Sequence, residues 1–441
     1  MALSTQPYKG ARDFYPEDKR FQKYLFAKLR EVVERFGYEE YDAPILEPTE
    51  LYLIKGNQEI IDEQTYTFKD RSDRSVTIRT EMTPSVSRMV AARRQELAYP
   101  LRWYSIPNLW RYERPQRGRL REFWQLNVDL FGIEEQWAEI EMIQIIDAIM
   151  KAVGGKPDMY TIRLNDRAFM DYVLREYLRF DEVQAASVAR QIDRLHKTDR
   201  ADFIARVDAL CNSVQRENNT VDKLLEILSV GETDSLPEPL RAHNSIRAIN
   251  DTISALKRAG ISNVSFDATL MRGFDYYTGI VFEVFDNHPD NNRSMFGGGR
   301  YDGMVGLFGA EPVPTVGFGM GDVALANFIE LHGLTPSLPT ETNAYVVVIG
   351  AEHDRVRPGV DELRGMGLNL AVDFSGRKPD KQIRTAVKKG IPYVIIIGDD
   401  ELTSGRYTLR NLHTGVEEKH SPERIVSILR DYRHHNETGQ L

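Results

Sequence analysis

The run FWQLNVDLF, residues 123–131, constrains this chain more than any other segment. As a strand it sets Trp124, Leu126, Val128 and Leu130 on one face and Gln125, Asn127 and Asp129 on the other. The apolar face supplies burial. The polar face is a row of hydrogen-bonding groups flanked by Phe123 and Phe131. It suits either the floor of a polar-ligand pocket or the wetted side of an antiparallel strand. The residues just before it tilt the choice. In 109–113, Arg111 and Glu113 fall on one face, Trp110 and Tyr112 on the other, and ERPQRGRLRE (113–122) follows as a basic loop built round Pro115 and Gly118. Arginine suits phosphate because its planar fork donates two parallel hydrogen bonds and keeps its charge at any working pH. A strand–loop–strand with arginine at base and tip can hold a nucleotide below and an RNA end above. Any one of these arginines alone reads as solvated surface.

A basic loop sits oddly with a formal net charge of −9. Yet between residues 101 and 125 stand six arginines (Arg102, Arg111, Arg114, Arg117, Arg119, Arg121) against two glutamates. Such a local reversal of sign is invisible in a chain-wide average. The single cysteine, Cys211, excludes an intramolecular disulfide framework and any multi-cysteine zinc site, and reads as a small buried side chain. That usage, with no apolar run of membrane-spanning length and no signal-peptide stretch at the N-terminus, leads us to expect a cytoplasmic protein without membrane partners. The nine histidines show no metal-ligand spacing, so no protein-held metal is expected. P-loop, dinucleotide, HExxH and GxSxG motifs are absent, so any ATP must bind without a Walker loop.

At 441 residues two or three domains are expected. Residues 16–36 have helical apolar spacing ended by Gly37. Residues 38–45 look extended, and short candidate strands follow at 64–68, 75–79, 101–106, 109–113 and 122–131, a turn-rich pattern suggesting a mainly antiparallel sheet. From 165 to 260 the sequence is rich in Ala, Leu, Arg and Glu with helical period, which predicts a helical insertion. Strands resume at 264–268 and 280–285, and a helix is predicted over 323–331. HGLTPSLPTET (332–342) reads as a linker. Beyond it, continuous apolar runs at 344–349 and 393–397 alternate with helices such as 378–389, predicting a small α/β domain. The resulting division is 1–164 and 261–331 for the main α+β domain, 165–260 for the insertion and 343–441 for the last domain.

Two more segments are chemically dense. RTEMT (79–83) offers the Glu81 carboxylate and the Thr83 hydroxyl to an ammonium group. RGFDYYT (272–278) packs a cation, a carboxylate and two phenols into seven residues; phenol and carboxylate together suit a small polar ring such as imidazole. Tyr276 and Tyr277 are otherwise ordinary strand aromatics. Gly297–Gly299 either lets a ligand approach the backbone closely or forms a flexible turn.

These segments resemble those of the histidyl-tRNA synthetase family, of class II, along nearly the whole chain. GYEEYDAPILEP (37–48) is similar to the first class II motif, LWRYERPQRGRLREFWQLNVDLFG (109–132) to the second, and GGGRYDG with VGFGMG (297–321) to the approach to the third. RGFDYYTG resembles the histidine-binding signature. The resemblance implies a six-stranded antiparallel catalytic sheet, a helical insertion near the tRNA acceptor stem, an α/β anticodon-binding domain and a homodimer. It implies ATP and Mg2+ as cofactors, and L-histidine and tRNA(His) as partners. By the same carry-over, Arg111 and Arg272 would be catalytic, Arg111 on the α-phosphate and Arg272 on carboxylate and phosphate. Glu81, Thr83 and Gln125 would hold the amino group, and Asp129 and Tyr277, with Tyr276 beside it, the imidazole. Glu113 and Arg300 would join the ATP site, and Gln116 would meet the tRNA end. The third motif departs from the family's pattern, because Ala324 stands where an arginine over the γ-phosphate is expected; Arg300 is a candidate replacement. RTEMT differs from the usual RPEGT at Thr80 and Met82. Alternatives are a non-charging, histidine-binding regulatory subunit and another class II synthetase; the tyrosine pair opposes the second.

Overall fold

The computed structural model describes residues 3–53, 64–195, 198–271, 276–291, 293–350 and 352–438, with side chains as far as 433. They form two compact units, Met1–Asp13 with Lys23–Thr335 and Phe14–Gln22 with Pro336–Leu441.

The larger unit contains, in chain order, α1 (Pro16–Arg35, shared with the smaller unit), β1 (Glu39–Glu40), β2 (Leu46–Pro48), β3 (Tyr66–Lys69), β4 (Ser75–Ile78), α2 (Thr83–Ala92), β5 (Leu101–Ser105), β6 (Asn108–Trp110), β7 (Glu122–Phe131), α3 (Trp137–Ala152) and β8 (Tyr160–Asp166). After an excursion of short helices ending in α4 (Asn244–Arg258) come β9 (Val264–Phe266), β10 (Ile280–Asp286), β11 (Ser294–Arg300), β12 (Thr315–Gly321) and α5 (Asp322–Leu331). The main sheet has the order β1-β5-β7-β12-β11-β10-β8-β9. Every pairing from β5 across to β8 is antiparallel, which gives the six-stranded antiparallel centre that the family resemblance implies. Its two outer neighbours, β1 beside β5 and β9 beside β8, run parallel.

The apolar face of β7 continues across the sheet. Val128 pairs with Phe318, Phe318 with Gly298, Gly298 with Phe282 and Phe282 with Leu164, and all but glycine bury their side chains here. Helices α3 and α5 pack on the strands at the centre. Helix α3 carries Ile140, Met142, Ile143, Ile145, Ile146 and Ile149, all buried, so it is apolar round much of its circumference, as an internal helix must be. The excursion between β8 and β9 has its own core, in which Phe169, Val188, Phe203 and Ile249 pack with Phe266 of the returning strand. Asp166 closes β8 by accepting the Phe169 N–H at 3.2 Å and the Ser245 hydroxyl at 2.9 Å, which starts the first helix and ties it to α4.

Three sequence expectations change. Of residues 38–45 only Glu39–Glu40 is strand, since Pro44 cannot donate to a ladder. The strand expected over 109–113 is Asn108–Trp110, because the Arg111 and Tyr112 N–H groups turn away to the Arg121 and Gln64 carbonyls. Gly297–Gly299 is no turn: it lies inside β11 with strands on both sides.

In the smaller unit, β13 (Ala344–Ile349), α6 (His353–Gly365), β14 (Leu370–Val372), α7 (Pro379–Lys388), β15 (Tyr393–Gly398), α8 (Asp399–Ser404), β16 (Tyr407–Asn411), β17 (Glu417–His420) and α9 (Pro422–Thr438) follow one another. The sheet order is β14-β13-β15-β16-β17, with the first three strands parallel and the last two antiparallel. Val346 and Ile395 face Val360, Leu363 and Ile425, while Tyr345, Val347 and Val394 face Ala386 and Ile391. Both faces are covered, and the uninterrupted apolar runs of β13 and β15 follow from that.

Candidate active site

The opposite face of the main sheet is polar and partly bare. Asp129 pairs with Gly317, which pairs with Gly299; Asn127 pairs with Gly319, which pairs with Gly297. Four glycines on adjacent strands thus share one face with the polar row of β7. A side chain on any of them would collide. A Cβ on Gly317 would come 2.4 Å from Asp129 Oδ1, one on Gly319 2.6 Å from Gln125 Nε2, one on Gly299 2.9 Å from Tyr277 Cδ1 and one on Gly297 2.8 Å from Glu283 Cγ. The missing side chains let those four groups lean across the backbone, which leaves Gly317 and Gly299 buried beneath them and Gly319 and Gly297 half-buried at the more open end of a flat floor. Gly317→Ala is therefore expected to destabilise the fold by about 1–3 kcal/mol and to displace Asp129. Chemical denaturation together with histidine titration checks this, and unchanged stability with unchanged binding would refute the close packing.

Asp129 is buried, and both its oxygens are held by phenols: Oδ1 accepts from Tyr301 and Oδ2 from Tyr41 at 3.4 Å. Burial pushes its carboxyl up to about 7, and the two hydroxyl donors only partly offset this. Burial beside that charge in turn pushes the Tyr301 hydroxyl well above its ordinary value. The rings of Tyr276, Tyr277 and Tyr301 cluster with centroids 5.1–6.4 Å apart. From this cluster the Tyr276 hydroxyl donates to Glu81 Oε2 at 3.1 Å and lies 3.5 Å from Thr83 Oγ1. Glu81 is buried at the start of α2, where Thr83 occupies the first helical position. The Tyr276 hydroxyl is held protonated by burial and then by the Glu81 charge. The fold therefore brings Glu81, Thr83, Asp129, Tyr276 and Tyr277, scattered over nearly 200 residues, into one polar wall, with Gln125 further along the same face of β7. Tyr301 and Tyr41 escaped the sequence reading. Tyr301 stood in GGGRYDG and Tyr41 in GYEEYDAP, but only the sheet shows that both reach Asp129.

Arg111 stands at the edge of this face. Its Nε donates to the Thr80 carbonyl at 3.0 Å, and its guanidinium lies 5.4 Å from the centre of the Phe123 ring. One side is thus fixed by backbone and an aromatic face. The other arginines of the cluster have divided duties. Arg102 forms a two-pronged pair with Glu141, each contact 3.0 Å. Arg121 covers the Tyr112 ring at 4.0 Å and bonds the Glu113 carbonyl. Arg119 is 3.7 Å from the Glu113 carboxylate. Arg117 reaches Asn327 on α5 at 2.8 Å, and Arg114 is exposed. At the loop tip Gln116 is exposed, and its Oε1 accepts from Arg293 at 2.8 Å. Arg79, the first residue of RTEMT, is buried and bonded to Asp42 and the Asn108 carbonyl, so it braces the site from behind.

The assignment of Arg300 to ATP is corrected. Its guanidinium is buried against Glu139 of α3, with contacts of 2.7 and 2.8 Å, and bonds the Ile133 carbonyl at 3.1 Å. A fork already closed on a buried carboxylate has no donors to turn toward a phosphate. Arg272 lies outside the described residues.

A family model described as histidyl-tRNA synthetase matches residues 10–323, and one described as an anticodon binding domain matches residues 343–432. The chain belongs to the histidyl-tRNA synthetase family. Among relatives of this family, the histidine–tRNA ligase of Leptospira biflexa is 39% identical over 93% of this chain and 94% of its own. That of Thermoplasma volcanium is 34% identical over 94% and 96%. A crystal structure of the histidyl-tRNA synthetase from Nostoc shares the fold, with a TM-score of 0.79 at 24% identity over 98% of this chain and 100% of that one. Membership of the synthetase family accounts for the antiparallel centre of the sheet and for a separate α/β unit after it.

Proposed function

We propose that the chain is a histidine–tRNA ligase, which activates L-histidine with ATP and passes it to the 3′ end of tRNA(His). One observation carries this reading: a carboxyl and three phenols (Asp129, Tyr276, Tyr277, Tyr301) gathered beside a glycine floor with Arg111 at its edge. Buried polar partners select strongly, because an analogue lacking a ring nitrogen would leave them unpaired. Asp129 and Tyr277 take the imidazole, Tyr276 supports them, and Glu81, Thr83 and Gln125 receive the ammonium group. The histidine carboxylate attacks the α-phosphorus of ATP, a bond from that phosphorus to the bridging oxygen breaks, and pyrophosphate leaves. A terminal ribose hydroxyl of the tRNA then takes the acyl group and AMP departs. Arg111, with Arg272, neutralises charge at the α-phosphate, Glu113 supports the ATP end of the loop, and Gln116 receives the tRNA. The chain's part is positioning and charge compensation.

The floor fits ATP at its half-buried end, where a planar base or ribose can approach Gly319 and Gly297 without meeting a Cβ. Mg2+, the usual partner of ATP, would be held largely by phosphate oxygens and water; among the described residues no three His, Cys, Asp or Glu side chains converge on a metal position. Residues 165–260 are assigned to the acceptor stem and 343–441 to the anticodon. The match of the last unit to an anticodon-binding module supports charging over a purely regulatory role, which needs no anticodon reader. A cytoplasmic homodimer completes the reading. The exposed Ile45, Leu46, Leu53 and Phe68, on and beside the small β2-β4-β3 sheet, support association through that region. No helix among the described residues is long and apolar enough to cross a membrane.

The test is histidine-dependent ATP–pyrophosphate exchange with Mg2+ present. Exchange with histidine and none with other amino acids is expected; histidine binding without exchange would sink the enzyme reading.

A further inference from the structure

We propose that Arg117, delivered by the basic loop, supplies the positive charge for the terminal phosphates of ATP that α5 lacks at Ala324. This rests on the ATP-using reading above. Arg117 Nε donates to Asn327 Oδ1 at 2.8 Å, although 210 residues separate them in sequence. Asn327 lies on α5 three residues after Ala324, so the two share one flank of the helix. Asn327 is 9% exposed, a firm anchor for an otherwise exposed side chain. A bond through Nε fixes the plane of the guanidinium and leaves the end-on N–H groups of Nη1 and Nη2 to donate elsewhere. Among the described residues, Asn327 is the one partner of Arg117.

Among the described residues, Arg117 is the loop arginine that is bonded to α5, whereas Arg114 is exposed and makes no such contact. Arg300 is closed on Glu139, Arg119 faces Glu113, and Arg121 is stacked on Tyr112. Asp322, at the start of α5, would repel a polyphosphate, but Arg12 holds its Oδ2 at 2.7 Å and the Trp124 N–H its Oδ1 at 2.9 Å. Those contacts place the start of α5 against Trp124, the residue next to the Phe123 ring under Arg111. Arg111 and Arg117 therefore serve opposite ends of one stretch, the α-phosphate at the first and the leaving pyrophosphate at the second. Ala324 leaves room for a guanidinium from the loop where a helix-borne arginine would fill the flank.

Equilibrium binding of ATP and AMP, with Mg2+, to the full chain tests this. Arg117→Ala is expected to weaken ATP at least tenfold while AMP and histidine change less than about twofold. Asn327→Ala should move ATP affinity the same way by a smaller factor. Adding Ala324→Arg to Arg117→Ala should recover most of the ATP affinity, which a merely structural loop defect would not allow. Equal weakening of ATP and AMP, unchanged ATP binding, or no recovery in a folded double variant overturns the assignment. Failure of the wild-type chain in the exchange assay instead overturns the parent reading. The ATP-to-AMP affinity ratio is measured without turnover, so the two failures are separable.

Discussion

Arg111→Ala is expected to lower histidine-dependent exchange by about two to three orders of magnitude, as loss of a fixed charge at a developing anionic centre does. Histidine affinity should fall no more than about threefold, because the amino acid's partners lie on the Asp129 and Glu81 side of the floor. The size of the effect depends on preorganisation. Nε is held by the Thr80 carbonyl and the guanidinium rests against Phe123, so little side-chain freedom is lost when phosphate arrives. Arg111→Lys should recover little of the rate, since the three donors of an ammonium diverge from one nitrogen and cannot span the Thr80 carbonyl and a planar two-pronged contact to phosphate. Steady-state exchange and histidine titration on the same preparations decide it. A parallel loss in both would mean that Arg111 shapes the amino-acid pocket instead.

The second large effect concerns Asp129. An unperturbed aspartate titrates near 3.9, and burial holds this one near 7 in the folded chain. The folded state therefore keeps a proton that the unfolded state has released between those values. Stability contributed by this group is full below about 4 and lost as pH rises toward 7. Asp129→Asn removes the titration. Between pH 5.5 and 8 it should gain on wild type by about 2 kcal/mol, from roughly 1.5 pKa units, as read from urea unfolding at the two pH values. The same variant should bind histidine at least tenfold more weakly, because the amide cannot accept an imidazole N–H with a full charge. A constant stability difference across that range would show that Asp129 is ionised throughout and that Tyr301 and Tyr41 outweigh burial.

Much of this was legible in residue order. The alternation of 123–131 placed Asp129, Asn127 and Gln125 on one face, and β7 has that register. The runs of β13 and β15 were readable because both faces are buried and every position is apolar. Other elements were opaque for physical reasons. Gly297–Gly299 carries no side chain to show a period, so its strand is specified by what lies beside it. Arg300 looked like a free cation because its partner, Glu139, is 161 residues away in sequence and sits on a helix that periodicity alone did not reveal. Tyr41 and Tyr301 act through a third residue, and a relation of that kind has no spacing in the chain. The role of Arg117 appears only when the loop and α5 are seen together.

The glycine floor has a consequence for how such a protein can change. Main chain without side chains is indifferent to the amino acid above it, so the platform holding the reacting groups is generic. Identity is written in the few side chains that lean over it, Asp129, Tyr277 and Tyr301 foremost. A new preference among amino acids could arise by replacing residues of that rim with the backbone untouched. A change at Gly317 or Gly299 would disturb the platform for every ligand alike. Diversification should be easy at the rim and nearly closed at the base.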